Sequence, residues 1–163
     1  MKSFVKLLVS ITLVMFAASC KHDDSLPLTK ETFAGTWEYT IEISFEGTNY
    51  DTGQSISETK RLSGTFTWDE RLNGWLEGDI QYSYLIGYLD EEWLGFTEDK
   101  FTWSENGKEY AAFCPWQSVA VNNKTKDFTT ENGKWASVTV KYPDGSEIYC
   151  SNVDATFRAR KIK

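Results

Sequence analysis

One ten-residue stretch constrains the fold more than any other. Trp37, Tyr39, Ile41, Ile43 and Phe45 alternate with Thr36, Glu38, Thr40, Glu42 and Ser44. That period of two lays five apolar side chains on one face of an extended chain and leaves the other face wet. A helix would scatter the same residues around its circumference. The pattern therefore predicts a strand with one buried face at the start of a folded domain.

Further strands obey the same logic. Residues 56–68 place Leu62, Phe66 and Trp68 on one face and Ser57, Thr59, Arg61, Ser63, Thr65 and Thr67 on the other, and Asp69 to Gly74 turns the chain. A third strand is predicted over 75–85, with Leu76, Ile80, Tyr82 and Tyr84 on one side. Asn106-Gly107 sits between two strand-like runs and is suited to the positive φ of a two-residue hairpin turn. Others are expected at 117–121, 134–142 and 146–159, with a weak one near 93–97, and Pro143-Asp144-Gly145 is the tight turn between the last two. No amphipathic helix of two turns appears after residue 20. The expectation is an all-β, antiparallel meander of about eight strands closed as a barrel, with a two-sheet β-sandwich as the alternative closure.

The first 19 residues differ in kind. Lys2 and Lys6 precede an apolar run from Leu7 to Ala18, the n-region and h-region of a secretory signal. The run is shorter than the ~20 residues a membrane-spanning helix needs, and no second such run comes after it. Phe16-Ala17-Ala18-Ser19-Cys20 resembles the lipobox of bacterial lipoproteins, which implies a lipid anchor of the palmitate type on Cys20. Lys21-His22-Asp23-Asp24 resembles the leader of surface lipoproteins of the Bacteroidota, which implies the outer membrane. Residues 20–31, polar and holding Pro27, read as a lipidated tether, and 32–163 as one domain.

Export bears on charge and cysteine. Residues 20–163 hold 15 Lys and Arg against 24 Asp and Glu, a net −9. That balance repels phosphate backbones, so a nucleic-acid partner is not expected. Cys114 and Cys150 would meet in an oxidising compartment and are expected to form a disulfide if geometry allows, two separate buried thiols being the alternative.

Phe33-Ala-Gly-Thr-Trp37 at the first strand, with Arg158 and Arg160 in the last, resembles the Gly-x-Trp start and closing arginine of lipocalin-like (calycin) barrels. The resemblance covers only the two ends of the domain. It implies that Trp37 plugs one barrel end and that Arg158 or Arg160 packs across it.

The lone histidine, His22, lies in the tether, which leaves no Ser-His-Asp or Cys-His catalysis and no histidine-based zinc site. The carboxylate groups Asp69-Glu70 and Asp90-Glu91-Glu92 fall at turn-like positions, where solvated acids suit no general-acid role. Neither enzymatic activity nor a metal or cofactor is expected. The 7 Trp, 8 Tyr and 10 Phe are the informative excess. The leading expectation is a small apolar or amphipathic ligand held in a barrel lined by Tyr39, Ile41, Phe66 and Tyr82. The alternatives are surface recognition of glycans or a protein through exposed aromatics such as Trp93, Trp103 or Trp116, and an accessory role in an outer-membrane complex.

Overall fold

The computed structural model describes residues 29–81, 83–89, 94–98, 100–118, 125–133 and 135–163. The signal segment, Cys20, most of the tether, Tyr82, Asp90-Glu91-Glu92 and Trp93 lie outside these residues. The fold is all-β and antiparallel, preceded by a single helical turn, α1 (Lys30–Phe33). That turn takes in Lys30 and Glu31, the last described residues of the expected tether before residue 32.

Twelve strands are present among the described residues: β1 (Gly35–Thr48), β2 (Ser55–Trp68), β3 (Asn73–Gly78), β4 (Ser83–Leu89), β5 (Leu94–Glu98), β6 (Phe101–Glu105), β7 (Lys108–Phe113), β8 (Trp116–Ser118), β9 (Asp127–Glu131), β10 (Ser137–Lys141), β11 (Glu147–Cys150) and β12 (Asn152–Lys161). Eight form one sheet in the order β8-β5-β4-β3-β2-β1-β12-β9. The sheet curls until its edges meet, through a bridge between Trp116 and Asn132 and a hydrogen bond from Gly133 N to Pro115 O of 2.7 Å. The other four form a second sheet, β11-β10-β7-β6. The chain supplies it by two hairpins inserted between strands of the first sheet.

The alternation in β1 is realised without a slip. Trp37, Tyr39, Ile41, Ile43 and Phe45 are all buried, which at 1.5–3 kcal/mol per large apolar side chain is worth roughly 10 kcal/mol as an upper estimate. Because β1 and β2 are each 14 residues long, they serve two partners. Their lower halves line the curled sheet, where Trp37 stacks on Phe66 at 6.1 Å and meets Phe128 at 5.3 Å. Their upper halves face the second sheet, where Phe45 meets Tyr110 at 6.1 Å. Asn106 and Gly107 take φ of 52° and 77° and close the β6–β7 hairpin as expected.

Two predicted strands are divided. The span 75–85 breaks after Gly78, at φ 125°, and the Asp79 carboxylate pins the turn by accepting from Ser63 N (2.8 Å) and Ser63 Oγ (3.0 Å). The break shifts the phase of β4, so Ser83 and Leu85 point inward and Tyr84 lies beside Trp75, ring centroids 4.8 Å apart. The span 146–159 breaks at Ser151, where the chain leaves the second sheet for the first.

The expected disulfide does not form. Cys150 and Ala112 both stand opposite Val138, on either side of β10. Two strand spacings of ~4.8 Å separate β7 from β11, and Cys114 lies two residues further along. Disulfides need Cα atoms within roughly 7 Å. Both cysteines are buried, and Cys150 Sγ packs instead against Gly47 of β1, where a Cβ would lie only 2.8 Å away.

Candidate functional site

The residues expected at the end of the barrel fall on opposite faces of the first sheet, Trp37 of β1 inside and Arg158 and Arg160 of β12 outside. Trp37 is fully buried, and its indole N–H donates to Phe33 O at 2.7 Å. Arg158 and Arg160 share the parity of the outward residues of β12, while Ala155, Phe157 and Ala159 point inward. Arg160 pairs with Glu38 at 2.5 Å on the outer surface. The cation that reaches the tryptophan is Lys161, directly opposite Trp37 in register. Its ammonium sits 5.8 Å from the ring centroid and donates to Thr32 O at 2.8 Å, which ties α1 to the last strand. Burial lowers the Lys161 pKa, and neighbouring Lys126 lowers it further.

Tyr39, Ile41 and Phe66, the described part of the expected cavity lining, are buried against their neighbours. Tyr39 stacks on Phe157 at 5.7 Å, Phe66 meets Trp68 at 4.9 Å, and Trp116 meets Phe157 at 5.4 Å. Rings at these separations are in mutual contact. Burial drives the Tyr39 phenol pKa well above its ordinary value, and the nearby Asp79 charge adds to the rise. Trp103 and Trp116, which the surface-recognition alternative would place outside, are buried.

No motif in the sequence marks a charged cluster that the fold assembles. Glu58 and Lys60 share the inward parity of Leu62 and Phe66 on β2 and face the second sheet. Glu58 accepts from Lys108 at 2.6 Å and from the Tyr110 hydroxyl at 2.9 Å. Lys60 bridges Glu58 (3.0 Å) and Glu105, with its ammonium 5.3 Å from the Tyr110 ring. Burial alone would raise the Glu58 pKa, but the hydrogen bonds from Lys108, Lys60 and Tyr110 prevail and hold it at about 2. Its one sequence signal is a pair of opposite charges two residues apart on an otherwise apolar face. The cluster clasps the two sheets together.

Of the acidic pair Asp69-Glu70, Asp69 holds the turn after β2. Asp69 Oδ1 accepts from Arg71 N (2.7 Å) and Asn73 N (2.9 Å), and these bonds lower its pKa. Among the described residues, no three His, Cys, Asp or Glu side chains gather as a metal site.

Among the described residues, the exposed aromatics are Tyr50 (95% exposed), Trp135 (86%), Tyr149 (63%), Tyr88 (52%) and Trp75 (44%). Tyr50 and Tyr149 line one open groove of about 670 Å³, together with Glu46, Gly47, Thr48, Ser55, Ile56, Ser57, Ser151 and Asn152. Its construction depends on the β1–β2 hairpin. Asn49 Oδ1 accepts from Asp51 N (3.0 Å) and Thr52 N (3.1 Å), a side-chain turn that fixes the tip bearing Tyr50. The Asn49 amide also donates to Glu147 O at 3.0 Å, which holds the tip against β11. Gly47 lets the two backbones approach, since a Cβ there would lie 2.8 Å from Tyr149 O. Ile148 and Cys150 of β11 point inward, so Tyr149 points out.

Polar groups stand in register beside the tyrosines. Glu46 lies opposite Ser57 on β2 and Asn152 on β12, and the Asn152 amide donates to the Glu46 carboxylate. In the next row Ser44 faces Thr59 and Asp154, with the Ser44 and Thr59 hydroxyls 2.8 Å apart. A shallower groove of about 190 Å³ continues along this row and shares Glu46, Ser57 and Asn152. Exposed tyrosine faces beside rows of hydroxyl, amide and carboxylate groups match the alternating apolar and polar surfaces of a sugar ring. No protein-family model matches the chain. A search of curated proteins likewise finds no match.

Proposed function

We propose that this chain is an exported, lipid-anchored outer-membrane protein whose domain binds glycans in the groove between Tyr50 and Tyr149. The observation that carries the reading is the pairing of two exposed tyrosines with one open, polar-lined groove on a hairpin tip that is itself fixed by hydrogen bonds. An apolar ligand inside the barrel, the leading expectation from the sequence, draws no comparable support, because Tyr39 and Phe66 are engaged with neighbouring rings. Anchoring rests on the lipobox-like residues before Cys20, and a groove at the tip of a long hairpin suits a domain held at a membrane by its other end.

Titration of a lipid-free domain against a broad glycan panel tests the binding site. Tyr50→Ala and Tyr149→Ala should each weaken the best binder by roughly 2- to 12-fold, the equivalent of 0.5–1.5 kcal/mol per ring contact. Retention of full affinity by both variants, or no binding across the panel, refutes the groove. Anchoring is tested separately: Cys20→Ser in the full chain should move the protein from the detergent phase to the aqueous phase.

A further inference from the structure

We propose that the groove selects uncharged glycans and turns away those carrying uronate or sulfate groups. This rests on the groove being the glycan site, and it narrows the class of ligand.

The inference comes from where the charges lie. Among the described residues, the linings of the main groove and its continuation include Glu46, Glu58 and Asp154, and no Lys, Arg or His. The three carboxylates are not equivalent. Glu58 faces inward and is met by Lys60 and Lys108, so its charge is compensated within the protein. Glu46 accepts from the neutral Asn152 amide, which orients the carboxylate without cancelling its charge. Asp154 stands one row further along, opposite Ser44, so two carboxylates flank the same polar strip. Exposed Asp51 at the hairpin tip and exposed Glu147 at the start of β11 add the same sign nearby.

Among the described residues, the cations on this outer face are distant from Glu46. Arg61 is two rows from Glu46 and stands opposite Glu42, which at ~3.3 Å per residue is about 13 Å along β1. Arg158 and Arg160 lie further down the face, and Arg160 is already paired with Glu38. Charges separated by more than the Debye length of ~8 Å at physiological salt are largely screened from one another. Among the described residues, a bound ligand therefore meets Glu46 without an offsetting cation, while Arg61 stands one row from Asp154, opposite Glu42. An anionic substituent a few ångströms from Glu46 is repelled, whereas hydroxyls can donate to the same carboxylates.

The test uses a glycan array in which each backbone is present in neutral, uronate-bearing and sulfated forms, read at low and high ionic strength. Expected is a neutral binder whose anionic counterparts are weaker by at least about fivefold at low salt. That gap should narrow at high salt and in Glu46→Gln. Anionic forms binding as tightly as neutral ones, or a gap that ignores both salt and Glu46→Gln, would overturn the charge selection. The groove would still stand if Tyr50→Ala weakened the binder. Binding that survives both tyrosine substitutions, or no binding at all, would instead remove the groove and this inference with it.

Discussion

Parity decides what a residue does in this molecule. Arg158 and Arg160 are arginines in the last strand, as the lipocalin-like resemblance implies, yet both face out, and Lys161 takes the place over Trp37. Glu58 and Lys60 illustrate the converse, charged residues on an inward face that persist because each finds partners across the sheets. Glu58 has a testable consequence. Its folded-state pKa, about 2, lies below the ordinary 4.5, so its stabilisation is present above the ordinary value and is lost as pH falls through the folded one. Glu58→Gln should cost about 1–2 kcal/mol at neutral pH, after discounting for partial exposure. Urea melts across pH should show this difference shrinking between pH 4.5 and 2. A pH-independent difference would show that the lost interaction is packing rather than charge.

At the level of elements, strands were legible wherever apolar and polar residues alternated without interruption. The alternation from Trp37 to Phe45 and the turn at Asn106-Gly107 needed only local information. The break after Gly78 was not legible, because Leu76 and Ile80 keep a strand-like phase across it and only the Asp79 contacts to Ser63 reveal a turn. Strand order was hidden for a similar reason: nothing local states that β10 will lie between the strands leading to Cys114 and Cys150. Under denaturing, non-reducing conditions, the Cys20→Ser chain should therefore titrate two thiols. Reductant should leave its melting temperature unchanged. A bridge closing a loop of this size would supply about 3–4 kcal/mol, so a marked drop on reduction would reveal a disulfide.

At the scale of the whole molecule, the aromatic excess divides into an inner set packed ring against ring and an outer set that includes Tyr50 and Tyr149. The sequence could count these rings but not sort them, since a tyrosine at a hairpin tip and one on a buried face differ only in tertiary context. The groove depends on residues nearly 100 positions apart, Asn49 and Glu147 among them, which is why no local motif announced it. Surface recognition and an internal cavity predict different locations for the same ligand. Amide chemical-shift mapping of the isotope-labelled domain, titrated with the best glycan of the panel and in parallel with a medium-chain fatty acid, separates them. Glycan-induced shifts confined to Tyr50, Ser55, Ser57, Tyr149 and Asn152, with none from the fatty acid, are the expected outcome. Saturable shifts at Tyr39, Ile41 and Phe66 on adding the fatty acid would contradict it and place the ligand inside the barrel.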